Sequence, residues 1–140
     1  MEAPPLQPAH HGGGTVLVVE DNEEIRAVVV KQLSALGFNV MEADTAERAL
    51  EVVEQRRPID LLFTDVVLPG RMDGCMLARK VMSQTPAPKI LLTSGFPGTS
   101  LSGVAELGGG VRLLSKPYRQ DELFRVLREV MDGHRAPAPQ

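Results

Sequence analysis

The chain has a single cysteine, Cys75, which excludes an internal disulfide framework and leaves too few thiolates for a cysteine-built metal site. Cys75 therefore reads as a small residue on a helix rather than a redox centre. No apolar run approaches the ~18 residues that a membrane span requires, so no membrane association is expected and the location is expected to be cytoplasmic. Lysine and arginine form no cluster beyond Arg56-Arg57, and the formal net charge is −3. Nucleic-acid surfaces work by neutralising phosphates, so direct nucleic-acid binding is not expected and any control of genes would be indirect. The first residues have neither the basic n-region nor the apolar h-region of a secretory signal.

What is present fits one ordinary domain: 140 residues, 43% hydrophobic and 24% charged. Residues 1–14 are rich in Pro, Gly, Ala and His without periodicity and read as a flexible leader, in which His10 and His11 are taken as linker or tag residues rather than metal ligands. Residues 15–132 carry the domain, and the Pro/Ala-rich segment 133–140 reads as a flexible tail.

From Thr15 onward short apolar runs alternate with longer amphipathic ones, the pattern of repeated βα units around a parallel sheet. Strands are predicted at Thr15 to Val19, Asn39 to Ala43, Leu61 to Thr64, Lys89 to Thr93 and Arg112 to Ser115. Ile25, Val28, Val29, Leu33 and Leu36 recur at helical spacing between Glu23 and Leu36, with Asn22 as N-cap and Gly37 as the stop. Thr45 caps a second helix through about Arg56, faced by Ala46, Ala49, Leu50 and Val53, and Pro58 closes that unit. A third helix is predicted from Gly74 to Gln84. A last one runs from Arg119 to about Met131, with Leu123, Phe124, Val126, Leu127 and Val130 mostly on one side. Between strands four and five, Pro97 to Gly110 carries enough glycine to lower its intrinsic helicity, so either a mobile segment or a short helix held by packing alone is the expectation there. The whole is an α/β fold, a three-layer αβα sandwich on a doubly wound five-stranded parallel sheet of flavodoxin-like order 2-1-3-4-5.

Such sheets bind ligands beyond the carboxyl ends of their strands, so residues meant for chemistry should follow the buried runs. Glu20 and Asp21 follow the first, Asp65 the third, Ser94 the fourth, and Lys116 ends the fifth. Three converging carboxylates repel one another, and a hard divalent cation resolves the conflict. Magnesium suits the set, since it prefers oxygen ligands at ~2.0–2.1 Å and needs one or two carboxylates plus a phosphoryl oxygen.

At this point four segments match a family. Glu20-Asp21-Asn22, Asp65 within Phe-Thr-Asp-Val-Val-Leu-Pro-Gly, Thr93-Ser94-Gly95-Phe96 and Lys116-Pro117-Tyr118 together resemble response-regulator receiver domains, over about Thr15 to Asp132. The resemblance implies that Asp65 is the phosphoacceptor and that Glu20 and Asp21 serve Mg2+ together with Asp65 and the carbonyl of Val67. It implies that Lys116 pairs with the phosphoryl group behind a cis Lys-Pro peptide, and that Ser94, rather than Thr93, is the switch hydroxyl. Two departures stand out. The loop Leu68 to Gly74 has one residue more than the commonest form, as in receivers at the C-terminus of hybrid histidine kinases, and Leu113 stands where many receivers carry the Tyr or Phe whose rotation reports the switch.

The implied chemistry is attack by Asp65 on a phosphohistidine, supported by positioning and electrostatics, with later hydrolysis as the reset. The phosphodonor would be a histidine kinase or a histidine phosphotransfer protein, docking on the first helix and the rim above Asp65. Output to an unnamed effector would be read at Phe96, Leu101 and Leu113, and a homodimer is left open. Two rivals were weighed. A magnesium-dependent phosphatase or phosphotransferase would need a second acid near the nucleophile, and Val67 removes the obvious candidate. A phosphate-independent binding module would be expected to lack one of the acids, the hydroxyl or the lysine, and none is missing. Asp73, in Asp-Gly, reads as a loop turn and is left out of the metal site. Tyr118 and Met131 read as packing.

Overall fold

The computed structural model describes residues 14–55, 59–83, 87–95 and 111–132. The mobile segment or short helix expected within 97–110, Arg56-Arg57, Pro58, Gln84, Phe96, Leu101, His10, His11 and the segments 1–13 and 133–140 lie outside the described residues.

Five apolar runs form the strands β1 (Thr15–Val19), β2 (Asn39–Ala43), β3 (Leu61–Asp65), β4 (Lys89–Ser94) and β5 (Val111–Ser115). They make one sheet in the order β2-β1-β3-β4-β5, with every neighbouring pair parallel, as the alternation of elements predicts. Strands β1, β3 and β4 are buried along nearly their whole length, which is why they read as continuous apolar runs instead of alternating ones.

Successive side chains point to opposite faces, so each strand feeds two cores. Leu17, Val19, Leu62, Ile90 and Leu92 pack with Ala46, Ala49 and Val53 of α2 (Ala46–Gln55) and with Leu77, Ala78 and Val81 of α3 (Gly74–Met82). Val16, Val18, Leu61, Phe63 and Leu91 pack with α1 (Glu23–Ala35) and α4 (Gln120–Asp132) on the other face. These are the three layers. Gly14 is already part of the sheet's margin, since its carbonyl accepts the Asn39 N–H at 2.8 Å.

Local chemistry sets the helix ends. Asn22 accepts the Ile25 N–H (2.9 Å), Thr45 Oγ1 the Arg48 N–H (3.0 Å) and Asp73 the Met76 N–H (2.9 Å). Asp73 is thus the N-cap of α3 and not only a turn residue. Gly37 ends α1 at φ 102, where a side chain would be strained. Helix α3 stops at Met82 because Ser83 turns back on Lys80, its hydroxyl donating to that carbonyl at 2.6 Å.

One expected packing pattern does not hold. Of the apolar positions assigned to one face of α1, only Val29 and Leu33 are buried, while Ile25 is 42% and Val28 54% exposed. The stripe that α1 needs for the sheet is narrower than the apolar stripe in its sequence.

Candidate functional site

The site is made by where strands end. β1 and β3 are neighbours at the middle of the sheet. The chain leaves β1 through Glu20 and Asp21, and β3 finishes on Asp65. One carboxylate oxygen from each of these residues lies within 4.8 Å of the others, Glu20 being buried, Asp65 half-buried and Asp21 exposed. The three acids singled out by their position after strands are therefore brought together.

Lys116, the residue after β5, spans β4 to reach them. Its Nζ donates to Asp65 Oδ2 at 2.8 Å and to Glu20 Oε1 at 3.5 Å. Its own N–H donates to the Ser94 carbonyl (2.8 Å), and the Lys116-Pro117 peptide is cis. Ser94 is the last residue of β4 and is buried, in register with Ser115; Thr93, also buried, is in register with Asp65. Val67, two residues past Asp65, is 46% exposed.

Burial pushes the Glu20 carboxyl above its ordinary value, and Asp65 and Asp21 push the same way against the Asn22 N–H and the Lys116 charge. Burial alone would lower Lys116, but the hydrogen bond and charge of Asp65, with those of Glu20, carry its ammonium above the usual range. Burial also raises the half-buried Tyr118 phenol. The pocket thus holds more negative charge than one lysine compensates. Its donors are all hard oxygens, so the residues present fit a small divalent cation.

Two residues of the site escaped the sequence reading. Arg26 of α1 donates from Nη1 to the Glu20 carbonyl (2.8 Å) and from Nε to Glu42 Oε1 (3.0 Å). Its only sequence signal is a cation inside the otherwise apolar stretch of α1. Gly74 lets α3 start against the phosphoacceptor candidate's own backbone. A Cβ there would lie 2.0 Å from the Asp65 carbonyl oxygen, while the Gly74 N–H donates to the Val66 carbonyl at 2.8 Å. Nothing in an Asp-Gly pair distinguishes such a contact from a turn.

Comparison with known proteins points in one direction. The response regulator receiver domain family matches residues 16–128. A curated relative, the response regulator receiver protein CpdR of Brucella abortus, is 32% identical over 116 residues, covering 83% of this chain and 95% of that protein. The sensor kinase CckA of the same organism is 30% identical over 122 residues, which cover 86% of this chain but only 13% of that protein. Among solved structures, the signal receiver domain of an HD domain-containing protein from Pseudomonas fluorescens superposes with a TM-score of 0.76 at 31% identity, covering 85% of this chain and 94% of that one. The receiver domain of the hybrid histidine kinase CckA superposes with a TM-score of 0.70 at 31% identity, covering 84% and 99%.

Proposed function

Because the chain belongs to the response regulator receiver domain family of two-component systems, we propose that it accepts a phosphoryl group on Asp65 and works as a signalling switch. The observation that carries this reading is Lys116 Nζ held between Asp65 and Glu20, with Asp21 alongside, at the carboxyl rim of the sheet. The donor is a histidine kinase or a histidine phosphotransfer protein, and the receiver is the region 15–132. The likeness to a segment of a sensor kinase, together with the longer loop after Asp65, supports a place close to such a kinase.

Glu20, Asp21, Asp65 and the Val67 carbonyl would hold Mg2+. Bound there, the cation would offset the acidic charge and that of the incoming phosphoryl oxygens. The chain's own residues do the rest. A carboxylate oxygen of Asp65 attacks phosphorus of the donor's phosphohistidine; the P–N bond breaks and its electron pair stays on the imidazole nitrogen. Lys116, already at hydrogen-bond distance from Asp65, stabilises charge on the equatorial oxygens. The aspartyl phosphate carries roughly −1.5 to −2 charge in place of the single charge of the Asp65 carboxylate, and the Ser94 hydroxyl is drawn toward it and passes the change to the neighbouring loop. Attack by water on the same phosphorus restores Asp65. The output goes to a partner protein or domain in the cytoplasm, with a phosphorylated homodimer as one form it could take.

Incubation with acetyl phosphate, with and without Mg2+, tests this by intact mass. The expected result is a magnesium-dependent phosphoryl adduct that Asp65→Asn abolishes. Uptake that persists in Asp65→Asn, or a folded parent protein that takes up nothing, refutes the reading.

A further inference from the structure

We propose that Arg26 is a positioning residue for the cation site, a strut that fixes the backbone of Glu20 and so the spacing of the acidic pair. This rests on the reading of Glu20 and Asp21 as the magnesium-holding residues. The reasoning starts from repulsion: three carboxylates with oxygens within 4.8 Å of one another push the turn after β1 outward, and among the described residues only Lys116 opposes this, through Asp65 and Glu20. A turn under that load keeps its shape only if its backbone is anchored.

Asn22, at the far side of the turn, is held by the first turn of α1, its carbonyl accepting the Arg26 N–H and its side chain the Ile25 N–H, both at 2.9 Å; the near side is anchored through Glu20. Its N–H continues the β1–β2 ladder to the Ala43 carbonyl at 3.1 Å, and its carboxylate accepts the Asn22 N–H at 3.0 Å. Its carbonyl is past the end of β1 and finds its donor in Arg26 Nη1 at 2.8 Å. The Arg26 fork is itself aimed by Glu42 on β2, which accepts from Nε at 3.0 Å, and the Arg26 side chain is only 17% exposed. One guanidinium therefore ties α1, the end of β1 and the edge strand β2 into a fixed frame beneath the acids.

Charge separates this role from a direct electrostatic one. Glu42 compensates Arg26, so Arg26 acts on the site through geometry. A planar fork can serve the carbonyl and Glu42 at once, whereas a lysine ammonium is a single point charge and cannot reproduce that fork. Supporting groups of this kind characteristically change metal affinity about 10-fold or more when removed.

The test measures Mg2+ affinity by calorimetry, and amide hydrogen exchange at Asp21 and Asn22 in metal-free protein, for Arg26→Met, Arg26→Lys and Glu42→Gln, with Asp21→Asn as control. Expected are an affinity loss of about 10-fold in Arg26→Met and smaller losses in the same direction in Arg26→Lys and Glu42→Gln. Asp21 and Asn22 should exchange faster in step with those losses, and acetyl phosphate uptake should return toward the parent rate at saturating Mg2+. A merely structural residue would move the unfolding midpoint without this ordered effect on affinity and exchange. Should Arg26→Met not fold, the Lys and Gln variants carry the same comparison. Parent-like affinity and exchange in these variants, with Asp21→Asn still impaired, overturns the strut alone; Mg2+ binding that ignores Asp21→Asn overturns the cation site as well.

Discussion

The two ends of the sheet are built on different terms. All four buried polar residues among the described ones, Glu20, Thr64, Thr93 and Ser94, stand at the carboxyl ends of β1, β3 and β4. At the amino ends the strands are stitched by backbone bonds, Asn39 to Gly14, Asp60 to Thr15 and Lys89 to Asp60, plus one exposed carboxylate, Asp60, accepting the Thr15 N–H at 2.8 Å. Among the described residues the amino end thus has no buried charge, while the carboxyl end keeps a carboxyl whose ionisation burial opposes. The proposed site occupies the end that is electrostatically uncomfortable, and the two ends should therefore answer mutation in opposite ways.

The largest effect should come from removing the lysine whose ammonium Asp65 and Glu20 share. Lys116→Met is expected to slow phosphoryl uptake about 100-fold, the typical loss when a charge-stabilising donor leaves a transition state. An unchanged rate of adduct formation from acetyl phosphate would remove Lys116 from the chemistry. Next in size is Gly74→Ala, in which the new Cβ meets the Asp65 carbonyl oxygen at 2.0 Å. Backbone cannot yield as a side chain does, so α3 or Asp65 has to move, with a loss of about 1–3 kcal/mol in urea unfolding and weaker uptake. Parent-like stability in that variant would show that the close approach does not constrain the site.

These two positions also show how far sequence carries the argument. Lys116 was legible because it follows the fifth apolar run at the carboxyl rim and stands in a Lys-Pro-Tyr segment that resembles receiver domains, and from the end of β5 it does reach Asp65. The strand order was legible from apolar runs and short connections, which leave few ways to wind a parallel sheet. Gly74 and Arg26 were not, because each acts through a backbone carbonyl, of Asp65 in one case and Glu20 in the other. Backbone atoms are the same at every position and leave no trace in residue identity. The exposure of Ile25 and Val28 was hidden for a different reason: helical spacing reports which residues share a side, not how wide a stripe the neighbouring sheet covers.

A smaller effect of opposite sign is expected at Glu20. Glu20→Gln removes a buried charge and the repulsion from Asp65 and Asp21, so metal-free protein should gain about 1 kcal/mol at neutral pH while losing Mg2+ affinity. The pH dependence fixes the cause. A carboxyl whose folded pKa lies above its unfolded value of 4.5 favours the fold fully below 4.5, and that contribution disappears as pH rises through the folded value. The stability gap between Glu20→Gln and the parent should close as pH falls through that window. A gap independent of pH would mean that the gain comes from packing rather than charge.

The smallest effect is the one that tests whether the two ends are separable. Asp60→Ala removes a single exposed hydrogen bond to the Thr15 N–H and leaves the backbone bonds from Asp60 N–H to Thr15 and from Lys89 to the Asp60 carbonyl in place. A loss of about 0.5–1 kcal/mol is expected, most of it restored by Asp60→Asn, which keeps an acceptor. Mg2+ affinity and phosphoryl uptake should match the parent protein, because the strands between the two ends are packed on both faces and transmit no charge from one to the other. A change in Mg2+ affinity in Asp60→Ala larger than its stability loss explains would show that the amino end helps set the register of β1 against β3, and with it the distance between Glu20 and Asp65.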